Sequence, residues 1–193
     1  MADTLEMDVK AKVGWIHTQD LALTTYMDGV VENSSSDTFS RVTETGELSY
    51  SNSWDDGTGD GQANVVWSGA FTISGGGTKS WDLNSDLEHN VFNANIEMAI
   101  ATVKGILIIN HSTVSGRDLV WDATVSNSFD TPFASTGAAA KVEIPAGSCF
   151  LTTHRNAGWA VTAGSKDVIA ITNLTAGAGN IVHHTIAIFG LST

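Results

Sequence analysis

A single cysteine, Cys149, occurs in the 193 residues, so no disulfide can close within the chain. It lies in the apolar run Cys149-Phe150-Leu151 and reads as a buried small hydrophobe. A nucleophilic thiol needs a basic, partly exposed setting. The nearest base, His154, would fall on the opposite face of an extended chain. Positive charge is scarce as well: 9 Lys and Arg stand against 21 Asp and Glu, for a net charge of −12. That argues against sequence-independent nucleic-acid binding, which needs clustered cations to displace counterions, and against docking on anionic membrane surfaces. It suits a soluble protein or one that meets a basic partner. No apolar run approaches the roughly 20 residues of a membrane-spanning helix. The acidic opening Met1-Ala2-Asp3-Thr4-Leu5-Glu6 lacks the apolar segment of a signal peptide, so the expectation is synthesis and folding in a cytoplasm.

What is abundant is turn chemistry between short apolar runs. Hydrophobic residues make up 42% and charged residues only 16%, with Gly, Ser, Thr, Asn and Ala filling the difference. The run Thr102–Asn110 (TVKGILIIN) reads as a strand buried on both faces. Val65, Trp67, Gly69, Phe71 and Ile73 alternate along one face of another strand. Further strands are expected at Val13–His17 and Leu21–Met27 about a Gln19-Asp20 turn, and at Lys79–Leu83, Asp118–Ser126, Ala140–Ile144, Ser148–Thr153, Gly158–Thr162, Asp167–Asn173 and Ile181–Gly190. Thr38–Tyr50 alternates weakly, as an exposed strand or long loop would. Asn84–Asn95 is the one stretch that suggests a helical turn, with a cap-like Ser85-Asp86-Leu87-Glu88 start. The spacing leaves little room for crossover helices. The expected fold is therefore all-β: an antiparallel, jelly-roll-like β-sandwich with at most one short helix, spanning 13–193 as a single domain after an arm or edge strand over 1–12.

Candidate sites are few. In Trp54–Gln62 (WDDGTGDGQ), Asp56, Thr58, Asp60 and Gly61 imitate positions of a calcium loop, but Trp67 stands where a bidentate Glu is required. A looser calcium site on Asp55, Asp56 and Asp60 is the metal candidate, and a plain turn is the preferred reading. The same loop, through Trp54, Asp56 and Asp60, is the candidate partner or ligand loop, with Trp54 read as the loop-borne tryptophan that could stack on a sugar. The other tryptophans sit in strand runs and read as core. His183 and His184 are adjacent on a strand and point to opposite faces, so they cannot chelate one metal; one reads as core-facing, the other as exposed. The carboxylate pairs Glu44/Glu47 and Asp86/Glu88 read as solvated surface. No Gly-x-Ser-x-Gly elbow, P-loop or Rossmann-type glycine pattern occurs, and Gly75-Gly76-Gly77 precedes a strand rather than a helix. No catalytic residue and no cofactor are assigned, and the chain is read as a non-enzyme.

Several motifs in order carry a family likeness. They are Asp56-Gly57-Thr58-Gly59 with Gly61-Gln62-Ala63 and Val66-Trp67, then Ala101-Thr102-Val103-Lys104-Gly105-Ile106, Asn127–Phe133 with Pro132, Val142–Gly147, and Gly158–Gly164. Together they resemble a family of small, largely uncharacterised structural proteins of tailed bacteriophages and prophages. The resemblance implies a virion component, with these glycine and turn positions acting as fold determinants. The expected role is a capsid decoration or cement protein, bound to the major capsid protein and to copies of itself, a trimer being favoured. The alternative is a tail-associated adhesin or fibre-base protein that binds host glycan through the Trp54–Gln62 loop.

Overall fold

The computed structural model describes residues 6–21, 40–85, 87–91, 94–122, 124–133 and 141–192, with side chains outside 12–21, 40–50 and 88–97. Every regular element among them is a strand. The chain divides into two compact units, Asp8–Asn52 and the remainder, chiefly Ser53–Thr193.

The smaller unit is built on β1 (Met7–Leu21) and most of β2 (Ser40–Asp56), which neighbour one another in one sheet. β1 runs straight through Gln19-Asp20, where a turn was expected. Two polar residues with neither Gly nor Pro do not oblige a chain to turn. The rest of the expected strand Leu21–Met27 lies outside the described residues.

The larger unit begins with the end of β2, whose Asp55 and Asp56 pair in parallel with Gln62 and Ala63 of β3 (Gln62–Ala63). Then come β4 (Val65–Ile73), β5 (Thr78–Asp82), β6 (Leu87–Val91), β7 (Ala94–Met98), β8 (Ile100–Asn110), β9 (Leu119–Asp122), β10 (Lys141–Ile144), β11 (Cys149–Thr153), β12 (Trp159–Ala160), β13 (Val168–Asn173) and β14 (Val182–Ser192). One sheet has the order β11-β8-β14-β4, with β12 also on β8; the other has the order β10-β9-β13-β5. All these pairings are antiparallel. Leaving out the short β6, β7 and β12, successive strands switch sheets at every step except β9 to β10, which is the strand order of an eight-stranded jelly roll.

Alternation decides which face is buried. Val65, Trp67 and Ile73 of β4, Ile106 and Ile108 of β8, and Val182, Ile186 and Ile188 of β14 turn inward from one sheet. Trp81 of β5, Leu119 and Trp121 of β9, and Ile169 and Ile171 of β13 meet them from the other. Contacts across the layers include Trp67 with Trp81 at 6.0 Å between ring centroids and Trp121 with Phe150 at 5.8 Å. β8 lies between β11 and β14 in its sheet, and beyond Gly105 it alternates: Ile106 and Ile108 are buried while Leu107 and Ile109 are half-buried, so the run faces the core from one side and is not buried on both as expected.

Three expectations are corrected here. The described residues of 84–95 hold no helical turn: β6 and β7 pair antiparallel in register Leu87↔Met98 to Val91↔Ala94. Ahead of the hairpin, β5 closes in an Asx turn in which the Asn84 N–H donates to Asp82 Oδ1 at 2.7 Å, and Leu87-Glu88 of the cap-like start begin β6. β9 stops at Asp122, whose carboxylate accepts from the Thr124 N–H, so Val125 is not part of the strand. Cys149 is exposed, on β11 at the sheet edge, because the inward positions of that short strand are not set by its apolar neighbours alone.

Candidate functional site

The acidic loop Asp56–Gly61 is held by its own backbone and by one side chain. The Asp55 N–H donates to the Gly61 carbonyl at 3.1 Å and the Gln62 N–H to the Gly59 carbonyl at 3.2 Å. The Gln62 side chain reaches back into the loop, its Oε1 accepting from the Gly59 N–H at 2.7 Å. The Gly61 N–H donates to the Arg155 carbonyl at 3.0 Å, tying the loop to the turn that follows β11. Asp55, Asp56 and Asp60 are all exposed. Among the described residues no three His, Cys, Asp or Glu side chains gather as a metal would need, so the looser calcium arrangement on these three carboxylates is not assembled.

Trp54 is not loop-borne. It lies in β2, is 1% exposed, and meets Phe189 edge to face at 4.8 Å. A sugar cannot stack on it, so the glycan-platform reading of Trp54 is overturned. What the candidate partner loop offers to a binder is Asp56 and Asp60. The extended end of β2 buries Trp54, a placement that its flanking acidic and glycine residues hid.

Beside the loop sits a group that composition did not disclose. Lys104 is 1% exposed and donates through Nζ to the Asn156 carbonyl. Burial holds its ammonium below the ordinary lysine range, and the Asp60 carboxylate partly offsets this. Its position comes from a bulge: Phe189 pairs with Gly105 and Gly190 with Val103, leaving Lys104 as the extra residue of β8. The turn over it closes with the His154 N–H on the Lys104 carbonyl (2.8 Å) and the Gly158 N–H on His154 Nδ1 (3.1 Å). Arg155 and Asn156 are exposed beside it. This end of the sandwich thus presents a rigid turn with carboxylates and a guanidinium, suited to ionic and hydrogen-bonded contact with another surface.

His183 is exposed and His184 fully buried, as strand alternation requires. The His184 ring packs 5.9 Å from both Phe71 and Trp81, and neither ring nitrogen has a hydrogen-bond partner among the described residues. Burial first, then Lys79 and His111, push its pKa down to about 4, so the imidazole is neutral at pH 7. It is a core residue. Glu44, Glu47, Asp86 and Glu88 lie outside the residues whose side chains are described.

The opposite end of the sandwich is built differently. Two buried asparagines end their strands there. Asn110 donates to the carbonyls of Arg117 (2.9 Å) and Ile144 (3.0 Å) and accepts from the Ser112 N–H (3.0 Å). Asn173 donates to the carbonyls of Ile73 (3.1 Å) and Asn180 (2.8 Å) and accepts from the Thr175 N–H (3.0 Å). Each amide saturates loop backbone that would otherwise be buried without partners. No protein-family model and no curated protein sequence matches the chain.

Proposed function

We propose that this chain is a structural protein of a bacteriophage virion, a decoration protein that binds the outer face of the head in several copies, with a trimer as the favoured form. The observation that carries the reading is the strand order. The jelly roll is an architecture that viral capsid domains share with lectins and cupins, and the likeness is one of scaffold, not of site. The motifs that resemble phage structural proteins fall on positions where the fold is made: the Gln62-latched turn, the bulge at Lys104, and the turn that brings β12 onto β8.

The mechanism is additive binding. Each copy seated on the shell stabilises the assembled state by mass action, in proportion to its occupancy. With a net charge of −12, the chain favours basic patches of the major capsid protein. The test is cryo-electron microscopy of intact virions, with heat-induced shell opening measured before and after the protein is added back to depleted shells. Many copies on the head and a higher opening temperature are expected. Density confined to the tail, or a particle without the chain, overturns the reading.

A further inference from the structure

We propose that the end of the sandwich formed by 74–77, 111–118, 145–148 and 174–181 is a self-association surface whose occupant is a second copy of this chain. This rests on the reading of the protein as a component that works in several copies.

The four loops belong to one surface. The Leu174 N–H donates to the Asp118 carbonyl at 3.0 Å, and Thr175 Oγ1 to the Gly116 carbonyl at 2.7 Å. The Gly76 N–H donates to the Asn173 carbonyl at 3.1 Å, and the Ala146 N–H to Asp118 Oδ1 at 2.9 Å. The large apolar side chains exposed among the described residues, Val114 at 48%, Leu174 at 52% and Ile181 at 44%, all lie on two of these loops.

Charge selects the occupant. The chain as a whole carries −12, so two copies repel wherever their acidic surfaces face. These loops hold one cation, Arg117, and one carboxylate, Asp118, leaving a formal net charge of zero. Both are engaged within the face: Arg117 donates to the Ile181 carbonyl and Asn180 Oδ1, each at 3.3 Å, and Asp118 holds the Ala146 N–H. A strongly basic partner would find no free carboxylate to meet. A second copy meets a surface of zero formal net charge carrying apolar side chains that water disfavours. Three half-exposed side chains are fewer than a standard interface of about 800 Å² per partner supplies. Association is therefore concentration-dependent, and it strengthens with salt as the repulsion between the acidic bodies is screened.

The test is sedimentation equilibrium of the full chain from about 0.05 to about 0.5 M NaCl. The expected result is a weight-average mass that rises with protein concentration above the 20.3 kDa of one chain, and rises further with salt. Leu174→Asp and Ile181→Asp should each raise the dissociation constant at least about tenfold. Leu174→Ser should weaken association less, and Thr58→Asp, which adds the same charge in the acidic loop away from this surface, should weaken it far less than Leu174→Asp does. Near-UV circular dichroism identifies any variant that has not folded. A single-chain mass at every concentration and salt overturns the proposal, as does an association that ignores Leu174 and Ile181. If the wild type stays single while Leu174→Asp loses binding to phage shells, the occupant is the shell and self-association is refuted. Self-association of a protein that does not bind shells would instead overturn the virion reading and leave this surface standing.

Discussion

A buried imidazole with no hydrogen-bond partner among the described residues makes the sandwich sensitive to acid at one residue. His184 has a folded pKa of about 4 against an ordinary value of 6.5. Above pH 6.5 the folded and unfolded chains both carry it neutral, and its stabilising effect is fully present. As pH falls from 6.5 toward 4, the unfolded chain takes up a proton that the folded one refuses, so stability is lost across that window and the loss levels off below about 4. At about 1.4 kcal/mol per pH unit, the linkage amounts to about 3 kcal/mol. Lys79 and His111 add to the effect because both disfavour a second positive charge nearby. His184→Leu should flatten the dependence on pH between 6.5 and 4.5, measured as the difference between urea unfolding curves of the variant and the wild type. Carboxylates titrate in both proteins and cancel in that difference. Parallel curves would show that the histidine is not the titrating group.

At the scale of elements, the turn before β12 depends on one glycine. Gly158 has φ +77°, and a Cβ there would lie 2.6 Å from Thr102 Cγ2 and 2.7 Å from the Val103 carbonyl. Gly76 has φ +74° with nothing within 4 Å of the same position. Gly76→Ala therefore meets only the left-handed backbone penalty, about 1 kcal/mol. Gly158→Ala meets that penalty together with backbone that cannot yield, and should cost about 1–3 kcal/mol more in thermal or urea unfolding. Equal losses would mean that the turn moves freely over β8. Elements of this kind divide what could be read from the chain from what could not. The alternation Val65–Ile73 declared its buried face because one period holds along the whole strand, and the apolar run Ile106–Ile109 declared β8 as a strand of the core. The opposite placement of His183 and His184 followed from that same period. Lys104 was illegible because the bulge shifts the phase at that residue, and a bulge is set by the partner strand. β6 and β7 were missed because Leu87, Val91 and Phe92 suit a helical face as well as a hairpin. The acidic loop declared its turn, but not that Trp54 beside it faces Phe189 from a distant strand.

For the whole molecule, the two compact units differ in what can hold them together. Among the described side chains, the core cluster falls between Val65 and Ile188, within the larger unit. Its sheets contain enough strands for an independent double layer. The described strands of the smaller unit, Asp8–Asn52, are β1 and most of β2, and a pair of strands is marginal by itself in water. A chain beginning at Ser53 should therefore fold cooperatively, keeping the near-UV circular dichroism of Trp67, Trp81 and Trp121, with a midpoint within a few degrees of the full chain. A peptide spanning Asp8–Asn52 should show no cooperative transition. If the chain from Ser53 unfolds without cooperativity, the smaller unit is part of what stabilises the sandwich. If it folds, the same truncation becomes the tool for asking what the smaller unit adds. Shell occupancy of the truncated chain against the full one would then separate a docking role for Asp8–Asn52 from a role for the sandwich ends, because the apolar loops of zero net charge and the acidic turn are both retained in it.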